Sequence, residues 1–424
     1  MLDLKRIEEN PGELTAMLKR RHADSIDIGA LLEIIEQRKT TQQELDSARS
    51  ERNQASKAIG GLIAEGKQEE AERRKAQVRS LGDHIAELET RYESLTARVQ
   101  ESVLDLPNWI DPEVPTGKDA EDNQVLRVEG KRPSFDFKPL PHFEIGEKLG
   151  ILDFEGGVRL AGSRFYSYRG LAARLERAII NFMLDLHTTH SGYEEVFVPM
   201  LIADEGMYTT GQFPKFRGEY YSLDRDGLSL IPTAEVPLVN LYRDQIVPEE
   251  DLPIAVTAAT SCFRREAGAA GKDTRGLVRV HQFQKVELVR LVHPEKSADA
   301  HEAMLGHAED VLRRLGLHYR VVLLCSGDMG ATAVRTYDIE VWMPGLDRWL
   351  EISSVSNCEE YQARRGKIRF KGKQSKDRPA FVHTLNGSGV AAGRCMIAIM
   401  ENFQRADGTF DVPAALRPYL EANI

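Results

Sequence analysis

The chain has 424 residues, 42% of them hydrophobic, and a formal net charge of −10. That length predicts two domains, or one large and one small, and no apolar run approaches the roughly 18 residues that a membrane-spanning helix needs. Net acidity argues against bulk nucleic-acid binding but leaves room for a local basic surface, and the scattered Cys262, Cys325, Cys358 and Cys395, like the scattered histidines, form no C-x-x-C or H-E-x-x-H, so neither disulfides nor a zinc site are expected.

The opening Met-Leu-Asp-Leu-Lys-Arg has no apolar signal core and no Arg/Ser-rich character, so a cytoplasmic location is expected. The first hundred residues are poor in strand signals. Val78, Leu81, Ile85, Leu88, Tyr92, Leu95 and Val99 alternate three and four apart, and so do Leu45, Ala48, Arg52, Ala55, Ile59 and Leu62, with Arg52 as the exception. This is a coiled-coil seam. Gly60-Gly61 and Gly66 mark a turn between the halves. The spacing predicts an antiparallel helical hairpin over about 28–64 and 68–103. Lys67, Arg73, Arg74, Lys75 and Arg79 cluster just after the turn. Two readings stay open for them: a solvated charged helix, or a contact with RNA phosphates.

A proline-bearing linker follows, through Pro107, Pro112 and Pro115 and an acidic run to Asn123. Beyond it, short Val/Ile/Leu/Phe/Tyr runs with Gly and Pro punctuation predict an α+β domain with mostly antiparallel strands. A helix is expected from Leu171 to about His187, with Leu171, Leu175, Ala178, Phe182 and Leu186 as its apolar stripe. A strand is expected from Tyr193 to Leu201, where Pro199 suggests an edge or an interface.

The richest segment runs from Cys262 to Glu287 and reads as strand, Gly-rich loop, strand. Arg264 and Glu266 share the parity of one face, and Arg279, His281, Phe283, Lys285 and Glu287 share that of another. Two or more cations, carboxylates and a ring on one sheet face suit an anionic, aromatic ligand such as ATP. Three further pairs lie two apart in apolar surroundings: Thr233 with Glu235, Glu351 with Ser353, and Asn386 with Ser388. Each alone reads as a cap, an ion pair or a loop. Their co-occurrence with the richest segment gives them functional weight. Gly393-Arg394 then opens an apolar helix, placing an arginine where it can face the sheet. There is no G-x-x-x-x-G-K-[ST] and no G-x-G-x-x-G after a strand, so ATP would be held by side chains on an antiparallel sheet.

Together these blocks resemble the seryl-tRNA synthetases of bacterial type, a family of class II aminoacyl-tRNA synthetases. The resemblance covers nearly the whole chain, including the opening M-L-D-L, the hairpin, the linker V-P-T-G-K-D-A-E-D-N and the closing V-P-A-A-L-R-P-Y-L. It implies an N-terminal tRNA-binding domain over 1–111 and a class II catalytic domain over 112–424. Motif 1 would fall at about 171–201, motif 2 at about 256–290 and motif 3, with its arginine Arg394, at about 384–402. The T-A-E, V-H-Q-F-x-K-V-E and T-L-N-G-S-G blocks are those of the serine enzymes.

The resemblance also implies roles. Arg264 and Arg394 would be the catalytic cations. ATP would be held by Arg264, Arg265, Glu266, Val280, Phe283, Glu351, Ser354 and Arg394, with Phe283 under the adenine and Glu351 and Ser354 receiving the magnesium that ATP carries. Ser354 breaks the parity that pairs Glu351 with Ser353, so a bulge or strand end is needed to bring it round. Serine would be bound by Thr233, Ala234, Glu235, Arg264, Glu287, Asn386 and Ser388. The hairpin would reach the long variable arm of tRNA(Ser), with Lys67, Arg73, Arg74, Lys75 and Arg79 as part of that contact. A selenocysteine tRNA is a second acceptor the family allows. Motif 1 implies a homodimer, and the loop 267–276 would meet the tRNA acceptor end.

Val355 stands where a cysteine is frequent in the family, with Cys358 at a nearby variable position. Arg265 and Ala269-Ala270 vary the motif 2 loop. The alternatives are a specialised duplicate serving antibiotic synthesis or resistance, a relative that aminoacylates a carrier protein, and a non-catalytic RNA-binding paralogue.

Overall fold

A computed structural model describes residues 1–267, 275–373 and 378–421. The chain divides into two compact units, residues 2–106 and, together with Met1, residues 107 onward.

In the first unit two short helices, α1 (Leu4–Glu9) and α2 (Pro11–Arg20), precede the hairpin of α3 (Ile28–Ala64) and α4 (Gln68–Leu104). Each hairpin arm has 37 residues, which at the α-helical rise is about 55 Å. Asp27 caps α3, its carboxylate accepting from the Ala30 N–H at 3.0 Å. Among the expected seam residues, Leu45, Ala48, Ala55, Ile85, Leu88, Leu95 and Val99 are buried. Val78, Leu81, Tyr92, Arg52, Ile59 and Leu62 are only half-buried. The seam thins towards the tip, where two slender helices have nothing else to pack on. Gly60 and Gly61 stay helical, and the turn is made at Gly66, whose φ of +76° favours glycine.

The second unit is built on an eight-stranded sheet. In chain order its strands are β1 (Gln124–Glu129), β2 (Glu194–Glu195), β3 (Ile254–Phe263), β4 (Gln282–Val292), β5 (Tyr319–Leu323), β6 (Arg335–Met343), β7 (Arg348–Glu359) and β8 (His383–Ala391). Their spatial order is β1-β5-β6-β7-β8-β4-β3-β2, antiparallel except where β2 runs parallel to β3. The helices used below are α5 (His142–Lys148), α6 (Leu171–His190), α7 (Ser297–Leu315), α8 (Tyr361–Gly366) and α9 (Ala392–Asn402).

Strand alternation sorts β4 into two faces. Val286 and Leu288 join the main core with Leu175, Met304 and Met396 from α6, α7 and α9. Val289 and Leu291 join a second core with Leu238, Ile368 and Val382. Phe283, Lys285 and Glu287 share the parity of Val289, and they line the cavity described below. Among the described residues, no helix is long and apolar enough to cross a membrane.

Three local expectations are corrected. The run from Tyr193 to Leu201 is not one strand: β2 stops at Glu195, Leu201–Ala203 pairs elsewhere, and Pro199 lies between them. The strands of the motif 2 segment are shorter than expected. β3 ends at Phe263 and β4 starts at Gln282, so Arg264, Glu266, Arg279 and His281 lie beyond strand parity. Glu266 sits at φ +51°, a turn conformation. Leu171 is 37% exposed because it is the first residue of α6, ahead of the buried stripe.

Candidate active site

A cavity of about 340 Å³ opens over β4, β7 and β8. Twelve of the residues expected to bind ATP or serine line it: Thr233, Glu235, Glu287, Asn386 and Ser388 with Arg264, Glu266, Val280, Phe283, Glu351, Ser354 and Arg394.

The first five gather with Lys285 around two buried carboxylates. Glu287 is brought opposite Ser388 by a register shift between β4 and β8 that passes over Gly389. Thr233 Oγ1 donates to Glu287 Oε2 at 2.9 Å, and the Lys285 ammonium pairs with the same oxygen. Glu235 opens a short helix, and its N–H is held by Thr233 Oγ1 at 3.2 Å. Its carboxylate accepts from Gln362 Nε2 of α8 at 2.6 Å, and Gln362 Oε1 in turn accepts from Thr384 Oγ1 at 2.7 Å. Burial, then the neighbouring charge of Glu287, pushes the Glu235 carboxyl up to about 7. Glu287 therefore has an ammonium in direct contact, whereas the Glu235 carboxylate is hydrogen-bonded by the Gln362 amide. A small cationic ligand would complete the charge balance at Glu235.

At the other end Phe283 forms an aromatic floor, with the Arg264 guanidinium 5.2 Å from the ring centre. Glu266 pairs with Arg279. Glu351 and Ser354 both reach the cavity because β6 and β7 shift register there: Ile339 lies opposite Ser353 but Glu340 lies opposite Glu351, leaving Ile352 as the extra residue. This is the bulge that simple parity required. Ser353 is buried instead, donating to the Ser388 carbonyl at 2.6 Å. Arg394, on the first turn of α9, donates from Nη1 to the Glu351 carbonyl at 2.7 Å and lies 3.5 Å from its carboxylate. Across from Ser354 on β6, the carboxyl of Asp338 is pushed well above its usual range by burial and then by Glu351, and its Oδ1 is buried without a hydrogen-bond partner among the described residues.

Two of the expected site residues do not line this cavity. Ala234 is fully buried among Leu238 and Val239. Arg265 is exposed past the end of β3, where its N–H donates to the Glu219 carbonyl at 2.9 Å. Ala269, Ala270 and most of the 267–276 loop lie outside the described residues. Val355 is core, while Cys358 receives the Asn386 side-chain N–H at 3.5 Å.

From sequence Lys285 belongs to the face suited to ATP; the structure pairs it with Glu287 at the other end of the cavity. Tyr166 and Tyr168, two apart in S-R-F-Y-S-Y, also line the cavity. Gln362 carried no signal, because it reaches Glu235 from α8, 127 positions away. A second cavity of about 280 Å³ shares Thr233, Glu235, Arg264 and Glu266 and adds Gln212, Glu219 and Tyr220.

On the hairpin, Lys67, Arg73, Arg74, Lys75 and Arg79 are all exposed. Lys67 pairs with Glu65 at 2.8 Å, Lys75 with Glu72 at 2.7 Å and Arg73 with Glu69 at 3.8 Å, and Arg74 donates to Gln77 at 2.8 Å. Exposed pairs of this kind are worth little and can be exchanged for phosphate.

The antiparallel sheet with its side-chain-lined cavity is that of a class II tRNA synthetase, and residues 217–403 match the family model of the tRNA synthetase class II core domain (G, H, P, S and T). The seryl-tRNA synthetase N-terminal domain matches residues 1–110. The serine–tRNA ligase of Leptospira biflexa is 54% identical over 421 residues, covering 99% of this chain and 100% of that one. The crystal structure of seryl-tRNA synthetase from Pyrococcus horikoshii complexed with ATP superposes with a TM-score of 0.95 at 35% identity, covering 99% and 98% of the two chains. The cytoplasmic serine–tRNA ligase of Naegleria fowleri in complex with AMP gives 0.86 at 30% identity, over 98% and 95%. The chain belongs to the seryl-tRNA synthetase family.

Proposed function

We propose that this chain is a serine–tRNA ligase that activates L-serine with ATP and passes the seryl group to the 3′ end of tRNA(Ser). One observation carries the reading: a single cavity joins the buried Thr233–Glu235–Glu287 cluster to Phe283, Arg264 and Arg394. The first group suits an ammonium and a hydroxyl, the second a base and its phosphates.

In the first step a serine carboxylate oxygen attacks the α-phosphorus of ATP. The bond to the β-phosphate breaks, giving seryl-adenylate and pyrophosphate. In the second, the terminal adenosine hydroxyl of the tRNA attacks the seryl carbonyl and AMP leaves. No protein nucleophile is needed. Glu235 holds the serine ammonium, and Thr233 and Glu287 hold its hydroxyl. Arg264 faces the α-phosphate and Arg394 the outer phosphates, so the chain contributes alignment and charge stabilisation. Magnesium brought with ATP fits Glu351 and Ser354, which offer only hard oxygens beside the orphaned Asp338 Oδ1, and would neutralise phosphate charge. A pocket that hydrogen-bonds a hydroxyl rejects alanine strongly, because the buried groups are left unpaired.

In this reading residues 1–111 form the tRNA-binding domain, with the basic residues from Lys67 to Arg79 touching the long arm of tRNA(Ser). The catalytic part begins at 112, and the segment 171–201 pairs two copies into a homodimer in the cytoplasm. Serine-dependent ATP–pyrophosphate exchange followed by tRNA charging tests the proposal. Exchange without charging would favour a carrier-type relative.

A further inference from the structure

The cavity itself leaves a fully buried, hydrogen-bonded His–Glu pair unexplained. His142, the first residue of α5, and Glu401, near the end of α9, are both completely inaccessible, with Nδ1 and Oε1 2.8 Å apart. Glu401 Oε1 also accepts from the His142 N–H at 2.9 Å, and its Oε2 accepts from the Gly345 N–H at 2.8 Å. On the far side of the ring, His142 Nε2 accepts from the Leu277 N–H at 3.1 Å. Because Nε2 must offer a lone pair there, the proton sits on Nδ1, and Glu401 fixes that tautomer.

Leu277 and Val278 are neighbours on the arm that returns from the motif 2 loop. The Val278 carbonyl accepts from Arg394 Nε and Nη2 at 3.3 and 3.2 Å. Arg394 and Glu401 are about two turns apart, hence on one face of α9. Two successive residues of the arm are thus bound to the same helix face, one directly and one through His142. The arm comes so close that a Cβ at Gly276, whose φ is +78°, would stand 2.1 Å from His142 Nε2.

We infer that His142 and Glu401 are positioning residues of the ATP site, an inference that rests on the reading of the cavity given above. They hold the Leu277–Val280 arm against α9, so that Arg394 and the wall beside Phe283 are in place before nucleotide binds. Leucine at position 401 offers no acceptor, so the His142 donors and the Gly345 N–H all lose their partner and the ring is released. Alanine at 276 displaces the ring from the other side.

The test is serine-dependent ATP–pyrophosphate exchange by the full chain. Glu401→Leu and Gly276→Ala should each raise the KM for ATP roughly tenfold and leave the KM for serine within about twofold. His142→Gln keeps an acceptor for the Leu277 N–H and should be impaired far less than His142→Leu. The inference is overturned if a folded Glu401→Leu or Gly276→Ala protein, judged by its melting temperature, keeps its KM for ATP. It is overturned equally if the two KM values rise together, as a general loosening would make them, or if His142→Gln and His142→Leu are equally impaired. A parent chain without serine-dependent exchange would overturn the ATP-site reading itself, and this inference with it.

Discussion

The hairpin and the sheet solve the problem of presenting charge in opposite ways. On the hairpin, the cations from Lys67 to Arg79 stand in water, and Lys67, Arg73 and Lys75 lie beside exposed acidic side chains a few residues away, within the screening range of salt. In the cavity, Glu235, Lys285 and Glu287 are nearly inaccessible: Glu235 is held by Gln362 and Glu287 by Thr233, each from a distant segment, and Lys285 pairs with Glu287 within β4. Exposed charges exchange partners cheaply, which suits reading the shape of a large polyanion. Buried charges cannot be left unpaired, which suits a strict choice between small molecules.

That contrast can be broken from either side. The largest effect is expected at Arg264: Arg264→Ala should lower the exchange rate by roughly 10²–10³-fold, the usual loss on removing a charge-stabilising donor, and steady-state exchange measures it. Next, Glu235→Gln should raise the KM for serine by about 10–100-fold, as for a lost charge-assisted hydrogen bond, while the KM for ATP stays near its parent value. A pH profile sharpens the same point. With its carboxyl pushed up to about 7, Glu235 takes up a proton as pH falls through neutrality and loses its attraction for the serine ammonium. The KM for serine should therefore climb below about pH 7, by up to roughly tenfold per pH unit for a single proton, and Glu235→Gln should flatten that slope. The smallest effect belongs to the hairpin. Arg73→Glu with Arg74→Glu should weaken tRNA charging several-fold at low salt and less at high salt, in the manner of phosphate contacts, with exchange unchanged. Equal loss of both activities would remove those two arginines from the tRNA surface.

The two regions also differ in how far sequence exposes them. The hairpin is governed by i+3/i+4 spacing, so its arms and most of its seam could be read directly. Its turn was less certain, since Gly60 and Gly61 tolerate a helix and only Gly66 takes a positive φ. In the sheet, the parity of Phe283, Lys285 and Glu287 was legible because β4 pairs with β3 without interruption. Ser354 was not legible from parity, because one extra residue in β7 turns the pattern over. Arg264 and Glu266 reach the cavity from beyond the strand end, so the strand argument placed them correctly for the wrong reason. Gln362, Asp338 and the His142–Glu401 pair depend on contacts between distant segments, which no local pattern reports.

The central claim is that this cavity matches serine to ATP. Pyrophosphate exchange by the purified full chain, with serine, alanine and threonine supplied separately, tests it most directly. The account predicts ATP–pyrophosphate exchange with serine and far less with alanine, which leaves buried acceptors unpaired, or with threonine, whose extra methyl group the pocket excludes. Absence of exchange with serine, or equal exchange with alanine, would contradict it.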